Sequence, residues 1–229
     1  MTRAWMSWSS GKDSAFALHE ARSSGVDVTG LLVTMNASVD RVAMHAVRRE
    51  LVDAQADALG LPVHYVLLPW PCPNEDYERL MTGAVEAALT DGATALVFGD
   101  LFLRDIRDYR EKQLAGTGLQ PLFPLWERPT AQLARDMLDS GIEAVLTCVD
   151  PKTLPPEFAG RRFDAALLAD LPAGVDPCGE NGEFHTFVLN APGFAQPIDA
   201  QVGEVVERDG FVFCDVLPRY SAGRRLIGP

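Results

Sequence analysis

The stretch Met6-Ser7-Trp8-Ser9-Ser10-Gly11-Lys12-Asp13-Ser14 decides the fold of this chain. It begins inside an apolar run, Ala4 to Trp8, which predicts a short buried strand. Small polar residues follow, and residues 15–21 then show the apolar spacing of a helix. A strand, a tight loop and a helix N-terminus together present several backbone N–H groups to one anion. The sequence therefore predicts a phosphate-binding loop after the first strand.

Two charged residues give this loop its chemistry. The helix dipole adds about half a positive charge at the helix N-terminus, and Lys12 adds a full one. The small residues Ser9, Ser10 and Gly11 allow phosphate oxygens to approach the backbone. The carboxylate of Asp13 suits a Mg²⁺ ion that bridges phosphates. We therefore predict phosphate contacts along the loop and metal coordination by Asp13.

The loop does not match a Walker A motif, which requires Gly five residues before the Gly-Lys pair and Ser or Thr after the lysine. Met6 and Asp13 occupy those positions. Ser9 to Ser14 instead resembles the S-G-G-K-D-S loop of the PP-loop ATP pyrophosphatases. That resemblance implies cleavage of ATP between its α- and β-phosphates. Ser10 replaces the first glycine of the loop, and we expect it to keep a negative φ because of its β-carbon.

Composition narrows the classes of function. A length of 229 residues suits one large domain, or a domain with a smaller one. The net charge of -12 disfavours a general nucleic-acid-binding surface. The cysteines are scattered without a C-x-x-C pair, so we expect no zinc site or disulfide framework and predict a cytoplasmic protein. We also expect no membrane span and no signal peptide.

Repeated strand–helix units predict the architecture. The expected strands cover residues 4–8, 28–35, 62–68, 94–98, 144–149, 184–190, 202–207 and 211–217, and the expected helices cover 13–24, 43–59, 75–90, 106–114, 130–140 and 163–171. Nearly continuous apolar strands belong to a parallel sheet that helices cover on both faces. Ligands bind beyond the carboxyl ends of such strands, where the phosphate loop, the segment after Met35 and Gly99 converge.

The apolar connector at residues 122–126 marks a predicted boundary between domains 1–125 and 126–229. Arg208-Asp209-Gly210 predicts a hairpin in the second domain, and residues 221–229 predict a loose tail. The predicted fold class is α/β, with a doubly wound parallel sheet and a second, smaller α+β domain. The PP-loop resemblance implies that the sheet is of the adenine nucleotide alpha hydrolase type.

A second chemically dense stretch runs from Cys178 to Thr186. Two carboxylates, Glu180 and Glu183, and His185 lie within six residues. If a strand begins at residue 184, Glu183 and His185 share one face and could face a common site. A polar turn ahead of a strand, with a structural hydrogen bond to His185, explains the same residues. The residues alone leave both interpretations open.

Cys178 to Val188 resembles the G-E-x-G-E-[FY]-x-T-[FL] signature of the diphthine–ammonia ligase family. The phosphate loop, Met44-His45 in the second predicted helix, the Gly99 segment and Pro124-Leu125-Trp126 agree with that family in order over nearly the whole chain. The resemblance implies an ATP-dependent amide ligase. In the implied reaction a carboxylate attacks the α-phosphate of ATP, pyrophosphate leaves, and ammonia displaces AMP from the acyl-adenylate.

The resemblance also assigns residues and partners. It implies that the catalytic residues are Lys12, Asp13, Glu180, Glu183 and His185. It also implies that the nucleotide contacts Ser9, Ser10, Gly11, Lys12, Asp13, Ser14, Met35, Gly99, Arg107 and Glu111. An i,i+4 surface pair explains Arg107 and Glu111 equally well, and a partly buried structural histidine explains His45. The implied partners are ATP, Mg²⁺, an ammonia donor and a carboxylate-bearing acceptor, either a small molecule or a protein side chain. We expect no nucleic acid, and a homodimer is compatible with the sequence.

Two other functions stay open at this stage. A PP-loop RNA-modifying enzyme, such as a thiolase, requires a basic surface and usually paired cysteines, and the chain offers neither. A sensor that binds ATP without chemistry, similar to the universal stress proteins, lacks the Lys12-Asp13 pair and the second acidic motif.

Overall fold

A computed structural model describes residues 1–219 of the chain, which form two β-sheets and the helices that cover them. The first sheet comprises β1 (Arg3–Ser7), β2 (Asp27–Asn36), β3 (Arg41–Val42), β4 (Val63–Leu68), β5 (Ala95–Val97) and β6 (Gln120–Leu122). Its parallel strands follow the order β4-β2-β1-β5-β6, and β3 pairs antiparallel with the end of β2. The strand order reverses at β1, so a crevice opens beside the loop that follows this strand.

The second sheet is antiparallel and comes from the C-terminal part of the chain. It comprises β7 (Glu143–Val149), β8 (Arg162–Phe163), β9 (Phe184–Asn190), β10 (Ala200–Arg208) and β11 (Phe211–Pro218). Strand β7 lies at its centre, with β9 along one edge and β8 and β11 along the other. The predicted hairpin joins β10 to β11, and its turn residues Asp209 and Gly210 both have a positive φ. The predicted fold class is confirmed.

Helices cover the first sheet on both faces. The α-helices within residues 1–219 are α1 (Lys12–Ser23), α2 (Arg49–Leu59), α3 (Asn74–Thr90), α4 (Arg104–Leu114), α5 (Thr130–Asp139) and α6 (Ala165–Asp170). The last of them, α6, contacts β8 of the second sheet. Buried side chains of α1 and α2 share one continuous core with buried side chains of the second sheet, such as Leu146 and Phe187. A separate core lies under α3, where Leu32, Leu96 and Phe98 are buried. None of the helices within residues 1–219 is long and apolar enough to cross a membrane.

The second predicted helix is wrong at its N-terminal end, because α2 begins at Arg49 and not near residue 43. Residues 43–45 form a turn, and Met44 and Ala46 have φ values of 62° and 55°. His45 therefore lies on a turn between β3 and α2. The apolar spacing of residues 43–59 continues through this turn because Val47 is buried, so helical spacing alone could not locate the break.

The expectation for Ser10 is also wrong. Its φ is 68°, in the left-handed region that favours glycine. Its side chain is completely buried, and its hydroxyl has no hydrogen-bond partner within residues 1–219. The loop thus keeps the backbone conformation of a glycine although a serine occupies the position. The surrounding contacts impose this conformation at a cost in stability.

We predict that Ser10→Gly raises the free energy of unfolding. Glycine adopts this φ without strain and removes a buried hydroxyl that lacks a partner, although it gains entropy in the unfolded chain. Ser10→Ala removes the hydroxyl but keeps the strain, so it serves as the matched control. We expect Ser10→Gly to exceed Ser10→Ala by about 0.5–1 kcal/mol in urea unfolding. Equal stability of the two variants would contradict the strain.

Candidate active site

The loop at the end of β1 leads directly into α1 and leaves donors for an anion. Gly11 is the N-cap residue of α1. The backbone N–H groups of Asp13 and Ser14 have no acceptor within the described residues, as expected for the first turn of a helix. Both residues line a cleft. The geometry therefore supplies backbone donors and the positive end of the helix dipole at one place.

Lys12 lies behind the loop and not in the cleft. Its side chain is 2% exposed, and its ammonium group donates to both oxygens of Asp13 at 3.0 and 2.8 Å. The third donor of the ammonium group contacts the carbonyl oxygen of Cys178. Burial opposes the charge, but the attraction of Asp13 and other neighbours outweighs it and leaves the pKa of Lys12 raised. Lys12 thus joins the phosphate loop to the Cys178 turn as a cation.

Strand β9 of the second sheet holds the backbone of the phosphate loop. The Val188 N–H donates to the Ser10 carbonyl at 2.9 Å, and the Lys12 N–H donates to the Thr186 hydroxyl at 3.1 Å. The completely buried Gln55 of α2 donates to the carbonyls of Ser10 and Val188 and accepts from the Trp8 indole. The backbone N–H of Lys12, which we predicted to bind a phosphate, therefore donates to another residue of the protein.

The cleft between the loop and the second sheet has a volume of about 450 Å³. Residues from both parts of the chain line it, and the polar ones are Ser7, Ser9, Asp13, Ser14, Thr34, His45, Tyr77, Asp100, Arg110, Glu180, His185 and Thr186. The structure thus brings the loop and the late acidic motif to one site. Residues Asp13, Asp100 and Glu180 make that site rich in carboxylates.

Glu180 projects into the cleft from the turn that precedes β9. Its carboxylate accepts a hydrogen bond of 2.8 Å from the Leu101 N–H, which ties this turn to the segment after β5. Burial raises the pKa of Glu180 to about 7, and the nearby charges of Asp13 and Asp100 act in the same direction. Glu180 is therefore a carboxyl group that can gain and lose a proton near neutral pH.

Glu183 lies elsewhere, because its carboxylate turns back into its own loop. It accepts from the Asp176 N–H and from the backbone and side chain of Asn181, each at 3.0 Å. The side chain is buried and does not line the cleft. The predicted shared face with His185 is wrong, since β9 begins at Phe184 and Glu183 belongs to the turn before it.

His45 and His185 form a neutral pair at the cleft wall, with ring centres 4.7 Å apart. Burial lowers the pKa of both rings, to about 3 for His185. The Nδ1 of His45 lies 3.0 Å from the Thr186 carbonyl, and since a carbonyl only accepts, this nitrogen carries the proton. The Nε2 of His185 is buried without a partner within residues 1–219. A β-carbon on Gly11 would lie 2.6 Å from the His45 ring, so a larger residue at that position would displace His45.

The remaining predicted residues divide between the cleft and its surroundings. Gly99 lines the cleft, and a β-carbon there would lie 3.0 Å from the backbone of Asp13 and Ser14. Met35 is completely buried in β2, beside Thr34, which does line the cleft. The structure does not bring Arg107 and Glu111 to the cleft; they form the i,i+4 ion pair at 2.7 Å.

Several residues of the site were not predicted from the sequence, among them Arg110, Gln55 and Thr186. Arg110 lines the cleft one helical turn after Arg107, whereas Gln55 and Thr186 hold the phosphate loop. Arg110 pairs with Asp100 at 2.7 Å. The sequence contains one signal for this pair, a carboxylate directly after Gly99 with an arginine on the following helix. No local pattern marks Gln55, because its partners come from β1, the loop and β9.

Comparisons with known proteins agree with this geometry. Residues 2–121 match the diphthamide synthase N-terminal domain, and residues 129–216 match the diphthamide synthase C-terminal domain. The diphthine–ammonia ligase of Danio rerio is 29% identical over 91% of this chain and 90% of its own length. The human protein of that name is 26% identical over 91% of this chain and 86% of its own length, and the Schizosaccharomyces pombe one is 26% identical over 90% of this chain and 37% of its own. Since the N-terminal match alone spans more than half of the chain, this protein belongs to the diphthamide synthase family.

Proposed function

We propose that this protein is an ATP-dependent amide ligase that joins a carboxylate to ammonia and releases AMP and pyrophosphate. One observation carries the proposal: the loop at Asp13 and the acidic turn at Glu180 line the same cleft. Similarity to proteins named diphthine–ammonia ligase over most of the chain supports the reaction type. An RNA-modifying enzyme or a passive ATP sensor would have no use for the second motif at this place.

The first turn of α1 binds the phosphates in this proposal. The free N–H groups of Asp13 and Ser14 donate to phosphate oxygens, and the hydroxyls of Ser9 and Ser14 lie at the same wall. Lys12 lies under the loop and contributes its charge without a direct place in the cleft. Met35 and Gly99 border the region that we assign to the adenosine. Residues 1–125 then bind the nucleotide, and residues 126–229 complete the acceptor side.

The cleft residues fit a Mg²⁺ ion. Three carboxylates, those of Asp13, Asp100 and Glu180, line a cleft that must receive a polyanion, and Mg²⁺ prefers one or two carboxylates together with substrate phosphates. We propose that Asp13 would hold the ion, since its side chain is a quarter exposed and lies at the N-terminus of α1. A bound Mg²⁺ would neutralise charge on the phosphates and so assist departure of pyrophosphate.

The proposed reaction has two steps. An oxygen of the acceptor carboxylate attacks the α-phosphorus, and the bond to the bridging oxygen of pyrophosphate breaks. Ammonia then attacks the acyl carbon, AMP leaves, and the nitrogen loses one proton. Glu180 is suited to receive that proton, because its pKa of about 7 leaves it ionised in a large share of molecules at neutral pH.

Other residues of the late motif support Glu180. The neutral His185 lines the cleft, and we propose that its ring contacts the incoming amine or the acceptor. Glu183 receives three hydrogen bonds inside the turn, and we propose that it positions Glu180 and contacts no substrate. A carboxylate-bearing acceptor and ammonia complete the substrate set, and the homodimer stays a prediction.

Pyrophosphate release tests the function directly. Purified protein with Mg²⁺ and ATP should release pyrophosphate when a carboxylic acid and ammonium are added, and mass spectrometry should detect the amide in equal amount. Omission of the acid should abolish amide formation. If ATP binds but no carboxylate in a broad set, including peptides, promotes pyrophosphate release, the ligase proposal is rejected in favour of a sensor.

We predict that Asp13→Ala abolishes turnover, keeps the circular dichroism spectrum and lowers the urea midpoint, because the buried Lys12 ammonium group loses its carboxylate partner. The substitution removes the proposed metal ligand and the partner of the Lys12 ammonium group. Circular dichroism and the urea midpoint check the fold, and pyrophosphate release checks turnover. A loss of about 10³-fold or more is expected from the removal of charge stabilisation. A wild-type rate would exclude the metal role.

We predict that Glu180 makes the protein less stable as the pH rises from about 4.5 to 7. The pKa of Glu180 in the folded protein is raised above its ordinary value of 4.5. As the pH rises, the unfolded chain therefore releases this proton first, and its free energy falls relative to that of the folded chain. Glu180→Gln keeps an acceptor for the Leu101 N–H and removes the titration. In urea unfolding, its advantage over wild type should grow by on the order of 2 kcal/mol across this range. A constant difference would show that Glu180 has an ordinary pKa.

A further inference from the structure

A second cavity adjoins the cleft and has no role in the function proposed above. It lies between α3 and α4 and has a volume of about 300 Å³. Apolar groups of Met81, Val85, Leu96, Phe98 and Leu114 line most of it. The cavity and the cleft have lining residues in common, namely Met81, Phe98 and Arg110. The side chain of Arg110 therefore borders both spaces.

We propose that this cavity binds the apolar body of the acceptor, a small carboxylic acid, and that Arg110 holds the carboxylate at the junction. This inference rests on the proposed ligase function and names the class of its substrate. The acid would lie with its apolar part between α3 and α4 and its carboxylate in the cleft. Arg110 is then a specificity-determining residue for the acceptor.

The charges at the cleft support the role of Arg110. Adenylation brings a carboxylate against a triphosphate, and Asp13, Asp100 and Glu180 already make the cleft negative. Arg110 is the one arginine or lysine among residues 1–219 that lines it. The Nε of Arg110 donates to Asp100, and its two η-nitrogens have no acceptor in the described part of the chain. A planar guanidinium with free η-nitrogens can bind a carboxylate through two hydrogen bonds.

The position of Arg110 also suits the reaction. Its partner Asp100 follows Gly99, which contacts the backbone of Asp13 and Ser14 so closely that a β-carbon would lie 3.0 Å away. The guanidinium group lies over the ring of Phe98, 4.5 Å from its centre, and this contact fixes its plane. A carboxylate on Arg110 would therefore lie beside the first turn of α1, where the phosphates are proposed to bind.

The cavity determines which acids fit. A volume of about 300 Å³ is at the lower end for small-molecule sites, so a compact aliphatic or aromatic body fits and a folded protein does not. Lys112 at the rim has no ion pair within residues 1–219. An acid with a second anionic group at its far end could reach this lysine, so the favoured class is an apolar acid with one or two carboxylates.

Filling the cavity tests the proposal. Thr82 is exposed on α3 and lines the cavity, and its hydroxyl donates to the Glu78 carbonyl. Thr90 is exposed on the same helix and donates to the Glu86 carbonyl in the same way, but it does not line the cavity. Thr82→Phe should therefore fill the cavity, whereas Thr90→Phe is its matched control.

The assay measures pyrophosphate release with MgATP, ammonium and acetate, hexanoate or phenylacetate, and calorimetry measures binding of each acid. For wild type we expect KM values for hexanoate and phenylacetate about tenfold or more below that for acetate. Thr82→Phe should remove this advantage, Thr90→Phe should keep it, and the KM for ATP should be the same in all three proteins. A raised KM for ATP in Thr82→Phe would overturn the proposal and assign the cavity to the nucleotide.

The same measurements separate a wrong cavity assignment from a wrong ligase proposal. If hexanoate and phenylacetate bind wild type but not Thr82→Phe and no pyrophosphate is released, the cavity assignment stands and the ligase proposal falls. If carboxylates promote pyrophosphate release equally in both proteins, the ligase proposal stands and the cavity assignment falls. If none of the acids binds or reacts with wild type, the cavity assignment is likewise rejected.

Substitutions of Arg110 test the junction separately. Arg110→Gln should raise the KM for phenylacetate by about tenfold or more, because it removes a charge-assisted contact. Arg110→Lys should recover part of this loss through its charge. Arg104→Gln on the same helix removes an exposed arginine that pairs with Glu127 and should behave as wild type. An unchanged KM in Arg110→Gln would exclude the contact.

Discussion

The attachment of the phosphate loop to β9 is the constraint on which the site depends. The carbonyls of Ser10 and Val188 both accept from the buried amide of Gln55, and the Val188 N–H returns to Ser10. Buried polar groups that lose their partners cost about 1–3 kcal/mol each, so neither sheet can slide without several such losses. This attachment keeps Asp13 and Glu180 at one cleft, and the left-handed conformation of Ser10 is part of its cost.

Charge is distributed unequally around that attachment. The cation of Lys12 is buried behind the loop and shared between Asp13 and the Cys178 carbonyl, whereas the cleft in front of it contains carboxylates. An anion that enters the cleft would therefore meet backbone donors and a helix N-terminus before a fixed positive side chain. This distribution of charge is the reason why we propose a Mg²⁺ ion for the phosphates and Arg110 for a different anion.

The sequence predicted what depends on local patterns. Buried strands, most helix bounds and the two chemical motifs follow from spacing and residue type, and residues 184–190 form the expected strand. The failures have two causes. Ser10 takes its conformation from distant partners on β9 and α2, which no window of neighbouring residues contains. Glu183 and the turn around His45 fail for a local reason, because apolar spacing does not show that Asp176 and Asn181 draw Glu183 inward or that a turn interrupts the helical pattern.

The sequence predicts Arg107 as a site residue, whereas Arg110 is the arginine that lines the cleft in the structure. Both lie on α4, three residues apart, and helical geometry alone does not say which one faces the cleft. The rings of Phe123 and Trp126 lie 4.8 and 4.6 Å from the Arg107 guanidinium and hold it with Glu111 on the outside, whereas Asp100 draws Arg110 inward. Residues of α3 and α4 therefore line the cleft together with the late motif. On the acceptor site that we propose, differences between relatives in acceptor choice should be sought on these helices.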